Sequence, residues 1–246
     1  MNKDLTVLKV KTTDAKPFPL DDELHPNLPR HPFLMMTSSA PRSGKTMMLL
    51  NLVANSNYYN IRDRDDNPYF DRIIWCSPSA DFDKNVKQTL EKLDNVHVIH
   101  DPRDLANIKT IINTVIADQT KLHEEKKPME RIAIFLDDCI GWLTEDVARM
   151  SSRYRHFGCT MVISIQKYSK APLLLRTCLG HFVTFKQNNG KERERIGDEL
   201  AEGFVAPDEF EDILNTVTEQ KYQFLYMNME NMCLYKNFDT LLIDCS

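Results

Sequence analysis

The chain has 246 residues, 42% of them hydrophobic and 27% charged, with a formal net charge of −5. That length and balance suit one large globular α/β domain with a substantial core. The acidic excess argues against a freestanding nucleic-acid binder held by global basic charge, so any DNA contact has to be local.

The N-terminus, MNKDLTVLKVKTTD, lacks the apolar centre of a signal peptide. No stretch approaches 18 uninterrupted apolar residues, so no membrane-spanning helix is expected. Leu5, Val7 and Val10 alternate with polar residues, which suggests one edge strand. Five prolines follow between Pro17 and Pro32. Residues 1–30 therefore read as an extended lead-in that packs along the domain without a helix. Residues 31–246 read as a single domain with no repeat and no internal boundary.

Phe33-Leu-Met-Met has strand character, and Met47-Met-Leu-Leu-Asn-Leu-Val is of helical type. Between them lies Ser39-Ala-Pro-Arg-Ser-Gly-Lys-Thr46, a G-x-x-x-x-G-K-[ST] phosphate loop with serine in place of the first glycine. Ser39, Ala40, Pro41, Arg42, Ser43, Gly44, Lys45 and Thr46 are thus the candidate nucleotide cradle. Backbone N–H groups and the helix N-terminus would hold phosphate oxygens. Lys45 would reach the β- and γ-phosphates of ATP, and the Thr46 hydroxyl would sit on Mg²⁺.

Asn55 to Asn67 is polar and turn-rich, and Asp71 to Ser77 reads as a buried strand. A helix is expected from Asp83 to Leu93, a strand over Val96–Ile99, and one long helix from Asp101 to about His123. His97 and His100 have no partner at metal-ligand spacing. The six cysteines contain no C-x-x-C pair, which points to a reducing compartment without a zinc site or disulfide framework.

Arg131-Ile-Ala-Ile-Phe-Leu-Asp-Asp138 is an apolar run ending in two carboxylates, the Walker B pattern. A strand buried in a parallel sheet reads as such a run, and ligands bind beyond its carboxyl end. Asp137 would organise Mg²⁺ and Asp138 would orient the attacking water. A helix follows from Thr144, its expected N-cap, to about Arg153. Thr160–Ile165 is a further strand, with Gln166 at its tip, within reach of the γ-phosphate or the water. Ala171–Cys178 is a short helix or turn, and His181–Phe185 a strand. Lys191–Gly203 and Pro207–Val217 are helical, and Tyr222–Met227 with Met232–Tyr235 form a closing hairpin.

The order SAPRSGKT, IAIFLDD, RHFGCTMVISIQKYSKAPLLLRTCLGHFVTF resembles the poxvirus-type DNA-packaging ATPases of the FtsK–HerA superfamily, over roughly Pro32 to Phe185. The resemblance implies a RecA-like, mostly parallel sheet with helices on both faces. It implies a homo-oligomeric ring that uses ATP and Mg²⁺ to move double-stranded DNA, without sequence preference, into a viral procapsid. It places the protein in the host-cell cytoplasm, at the viral factory, or with the virion. Lys45, Asp138 and Gln166 take catalytic positions, and Thr46 and Asp137 the metal positions. An arginine finger acting on a neighbour's ATP is implied, with Arg155 and Arg176 as the candidates. The second acid is Asp138 where a glutamate is usual. Lys167, Lys170 and Lys186 are candidate contacts to the DNA backbone, which carry no sequence information.

Two other readings remain open on sequence alone. A small P-loop kinase would use an arginine-rich lid, for which Lys191-Glu-Arg-Glu-Arg195 is the available segment. An ATP-gated binding protein would use the nucleotide only as a switch.

Overall fold

The computed structural model describes residues 18–245. The phosphate-loop strand, β1 (Leu34–Ser38), is buried along its whole length. Its side chains alternate between two cores, Leu34 and Met36 on one face and Met35 on the other. This period of two is why a strand between helical layers needs apolar residues at every position.

Five more strands run parallel to it: β2 (Arg72–Cys76), β3 (Val96–Ile99), β4 (Ile132–Asp137), β5 (Cys159–Ile165) and β6 (His181–Thr184). Three antiparallel strands extend the sheet: β7 (Leu225–Asn228), β8 (Cys233–Lys236) and β9 (Thr240–Asp244). The order is β3-β2-β4-β5-β1-β6-β7-β8-β9. The expected α/β architecture, a mostly parallel sheet with helices on both faces, is therefore found. Among the described residues, no helix is long and apolar enough to cross a membrane.

On one face lie α1 (Lys45–Ala54) and α2 (Lys84–Leu90), which bury Leu49, Leu52, Val86 and Leu90 against Trp75 and Phe135. Trp75 and Phe135, neighbours on β2 and β4, stack with centroids 5.2 Å apart. The other face carries α3 (Pro102–Leu105), α4 (Ile108–Glu124), α5 (Glu145–Ser151), α6 (Leu173–Thr177), α7 (Gly190–Ile196) and α8 (Pro207–Val217). Truncating any of these fully buried chains to alanine costs about 2–5 kcal/mol.

The structure departs from the sequence expectations in four places. The helix expected over Asp101–His123 is broken into Pro102–Leu105 and α4. The cause is local. Asn107 leaves helical geometry at the start of α4, and its side-chain amide donates to the Arg103 carbonyl instead of leaving that oxygen to the helix ladder. Tyr222, expected within a strand, lies in the loop before β7 with φ of 69°. Strand β9 was not expected, because Leu241-Leu242 breaks alternation on a half-exposed edge. The lead-in makes one 3₁₀ turn at Pro19–Asp22, with proline at its start.

That lead-in is well anchored over its described part. Leu20, Leu24 and Leu28 are buried in the α1 face. The Arg131 guanidinium sits 3.5 Å from the centre of the Phe18 ring and 4.3 Å from that of Tyr69. Tyr69 donates to Asp21 at 2.9 Å. The edge strand expected near Leu5–Val10 lies outside the described residues.

Candidate active site

In register, Ser38 of β1 faces Ile165 of β5, and Asp137 of β4 faces Ser164. The three strands therefore end level, with β5 between β1 and β4. The phosphate loop, the two acids and Gln166 leave the sheet on the same edge, the carboxyl edge where open α/β sheets bind ligands.

The loop is held by its own chemistry. Gly44 has φ of 111°, a conformation natural to glycine. A Cβ there would lie 3.1 Å from Tyr222 Cδ1 and 3.3 Å from Phe185 Cε1. Arg42 also has positive φ, at 62°. Ser39, in the place of the usual glycine, is fully buried and its hydroxyl hydrogen-bonds Ser43 Oγ across the loop. The substitution thus contributes a closure instead of an obstruction. Beneath it, Thr184 and Gln187 both donate to the Ser38 carbonyl, at 3.0 and 2.8 Å.

Lys45 is buried, and its ammonium donates to the carbonyls of Ser39 at 2.7 Å and Ala40 at 3.0 Å. Burial lowers its pKa, and the charges of Asp138 and Asp137 oppose that shift. Thr46 donates to Asp137 Oδ2 at 3.0 Å. Asp137 is only 1% exposed, and its other oxygen, Oδ1, has no hydrogen-bond partner among the described residues. The facing Ser164 hydroxyl makes no hydrogen bond of good geometry, yet it lies close enough to the Asp137 carboxylate to stabilise its charge. Burial raises the pKa of Asp137; the Ser164 hydroxyl, the Thr46 hydrogen bond and Lys45 pull the other way.

Asp138 turns out of the strand with φ of 55°, fixed by its N–H donating to the Ser164 carbonyl at 3.1 Å. The left-handed turn sends its carboxylate along the edge towards the tip of β5. There Gln166 Nε2 donates to both carboxylate oxygens, at 3.1 and 3.0 Å. One cluster therefore unites Ser39 through Thr46, Asp137, Asp138 and Gln166.

The two arginines are placed elsewhere. Arg155 precedes β5, at the opposite, amino edge of the sheet. It hydrogen-bonds Tyr154 Oη at 2.8 Å and pairs with Glu230. Its side chain is 61% exposed. Arg176 pairs with Glu199 beneath the Tyr168 ring, and its side chain is 11% exposed. Lys167, Lys170 and Lys186 are all exposed. The six cysteines are free, and no cluster of three metal-binding His, Cys, Asp or Glu side chains occurs among the described residues.

Sequence reasoning missed the ring pair Phe185 and Tyr222 against Gly44. It also missed the braces Thr184 and Gln187. Nothing local marks Tyr222, because its partner lies far away in the chain. Gln187 could have been found as a polar residue just past a buried strand.

Comparison with solved structures gives matches across most of the chain. The genome packaging NTPase B204 of Sulfolobus turreted icosahedral virus 2, in complex with ATP-gammaS, superposes with a TM-score of 0.54 at 13% identity, over 83% of this chain and 96% of that chain. B204, the DNA-packaging ATPase of Sulfolobus turreted icosahedral virus, gives 0.57 at 13% identity, over 84% and 97%. The cytoplasmic domain of the type VII secretion ATPase EccC of Thermomonospora curvata gives 0.54 at 14% identity, over 79% of this chain and 24% of that one. At these identities the likeness establishes the fold. No protein-family model matches the sequence, and no curated protein matches it significantly.

Proposed function

We propose that this protein hydrolyses ATP and uses the energy to translocate double-stranded DNA into a viral capsid, working as a ring of identical subunits. The observation that carries the reading is the carboxylate of Asp138, held by Gln166 across the strand tips beside Lys45, Thr46 and Asp137. A nucleotide-gated binder needs the cradle but not a positioned acid. The fold shared with two viral packaging NTPases supports the choice of motor.

The residues act in sequence. Phosphate oxygens of ATP compete with the Ser39 and Ala40 carbonyls for the Lys45 ammonium, so Lys45 changes partner on binding. Thr46 and Asp137 fit a magnesium ion: both offer oxygen, as this hard cation requires, and Asp137 keeps a buried oxygen unpaired. Bound there, the ion neutralises charge that builds on the β- and γ-phosphoryl oxygens. Asp138 accepts a hydrogen bond from the attacking water and aims it in line. Gln166 holds that carboxylate and reports on the γ-phosphate.

Arg155 is the better finger. It is far more exposed than Arg176, and it stands on the edge away from its own phosphate loop, as a group serving a neighbouring subunit must. The exposed Lys167, Lys170 and Lys186 supply backbone contacts, multiplied around the ring. The kinase alternative loses its lid: Arg193 is tied to Glu211 and the Gln187 carbonyl, and Arg195 lies 3.8 Å from Glu199.

Triplex displacement tests the motor directly. A translocating ring strips a third strand from a duplex in an ATP-dependent manner, and Lys45→Ala abolishes this. ATP hydrolysis with no displacement on any duplex, alone or with capsid protein, would reject translocation.

A further inference from the structure

The turn after β5 presents Gln166, Lys167 and Lys170 to solvent and sends the two residues between the lysines inward. Tyr168 is fully buried, its ring edge-on to Phe182 with centroids 5.3 Å apart, and its hydroxyl donates to Glu199 at 3.0 Å. Ser169 gives both its hydroxyl and its backbone N–H to the carboxylate of Glu192, the N–H at 3.1 Å. Glu192 lies in the first turn of α7 and is only 7% exposed. The arginines of its own helix are engaged elsewhere, Arg193 with Glu211 and Arg195 with Glu199, and no cation pairs with Glu192 among the described residues. A carboxylate taken out of water without a cation is costly unless hydrogen bonds fill its lone pairs. The amino end of α7 favours its charge, and the two Ser169 donors supply the bonds.

Helix α7 is itself tied to the phosphate-loop strand. Gln187 donates to the Ser38 carbonyl at 2.8 Å, and its own carbonyl accepts from Arg193 of α7 at 2.8 Å. Beyond Ile196 the helix widens into a π turn, Gly197–Ala201, which carries Glu199; such turns are rare and recur at functional sites. We propose that Glu192 is a positioning residue for hydrolysis. By clasping Ser169 it fixes the turn that keeps Gln166 on the Asp138 carboxylate, and it makes DNA held at Lys167 and Lys170 felt at that acid. This role presupposes the ATP reading above. Glu192 bonds Ser169 and not Asp138, so it acts through Gln166.

Steady-state ATP hydrolysis by the full chain, with calorimetric titration of ATP beside it, tests the clasp. Glu192→Ala is expected to lower kcat by roughly ten- to a hundredfold, the scale of a misplaced catalytic group, with ATP affinity kept and the response to double-stranded DNA lost. Glu192→Gln still accepts from the Ser169 N–H, its amide can donate to the hydroxyl, and most of the rate returns. Ser169→Ala trims the same clasp from the other side and loses rate in the same direction. In a Gln166→Ala background neither Glu192→Ala nor Ser169→Ala costs anything further, because residues acting through one group are not additive. Losses that multiply in the double variants, an unchanged kcat in both single alanine variants, or a full response to DNA would overturn the role of Glu192. Absence of hydrolysis by the unaltered chain is a different failure: it removes the ATP reading, and the clasp with it, before any variant is compared.

Discussion

At the carboxyl ends of β1, β4 and β5, polar groups keep bonding capacity in reserve. Asp137 has a buried oxygen with no described partner, and Lys45 leans on two backbone carbonyls. At the amino ends of β5 and β6, charge is paired off. Glu230 takes Arg155 and lies 3.6 Å from His181, whose other nitrogen meets the Tyr226 hydroxyl at 3.0 Å. His31 Nδ1 is matched to Thr160 Oγ1 at 2.9 Å. Both edges belong to one sheet and hold similar residue types. Among the described residues, buried polar atoms without a hydrogen bond occur at both edges, His181 Nε2 among them at the amino edge. What sets the carboxyl edge apart is that its unpaired atom is a carboxylate oxygen beside the phosphate loop, which a cation can complete.

Arg155→Ala offers the sharpest break in this comparison, because it asks whether the paired edge serves the other edge of a neighbour. Finger arginines contribute about 10³-fold or more to turnover, so kcat should fall on that scale with ATP affinity retained. Mixing Arg155→Ala with Lys45→Ala subunits should restore part of the hydrolysis, since an intact cradle can then meet an intact finger. Steady-state rates over a range of mixing ratios check this; mixtures no faster than either variant would place the finger elsewhere.

Asp138→Asn removes the base but keeps the shape and the Gln166 contact. A lost general base costs about 10²–10⁴-fold, with nucleotide binding unchanged. Equal losses in binding and turnover would make Asp138 a structural residue.

Asp137→Asn should separate stability from function. The folded-state pKa of Asp137 is raised by burial, so its ionised form opposes folding. That penalty grows as pH rises from the ordinary carboxylate range through the raised value. The amide removes it and can still accept from Thr46. At neutral pH the melting temperature should rise, while magnesium-dependent hydrolysis is lost. Thermal unfolding beside an activity assay reads both. A destabilised variant would show that the carboxylate is a structural acceptor.

The amino edge is read through its pH dependence. Burial and the Arg131 charge hold the His31 pKa down at about 3, against about 6.5 when unfolded. Stability is complete above the unfolded value and falls as pH drops towards 3, because only the unfolded chain takes the proton. The slope is about 1.4 kcal/mol per pH unit at most. His31→Gln should flatten that part of a urea-denaturation series. Glu230→Gln, at an exposed pair, should shift stability by less than about 1 kcal/mol.

Much of the carboxyl edge was legible in the sequence because each part is local. A loop with Gly44-Lys45-Thr46, an apolar run ending in Asp137-Asp138, and a glutamine at a strand tip each announce themselves within a few residues. The strand order that levels them follows from fold rules more than from any single residue. What stayed hidden is nonlocal or depends on a competing hydrogen bond. Tyr222 closes on Gly44 across most of the chain. The Asn107 amide breaks a helix whose apolar pattern runs on unbroken. Arg155 and Arg176 look alike in sequence, and only their partners and exposure separate them. Ser39 reads in sequence only as a small replacement for glycine; its closing bond to the Ser43 hydroxyl depends on the folded loop.

The most direct test of the account is ATP hydrolysis by the purified protein with magnesium, with and without double-stranded DNA, beside Lys45→Ala. The account predicts hydrolysis that rises with DNA and disappears in the variant. Hydrolysis unaffected by Lys45→Ala, or ATP binding without any turnover, would contradict it.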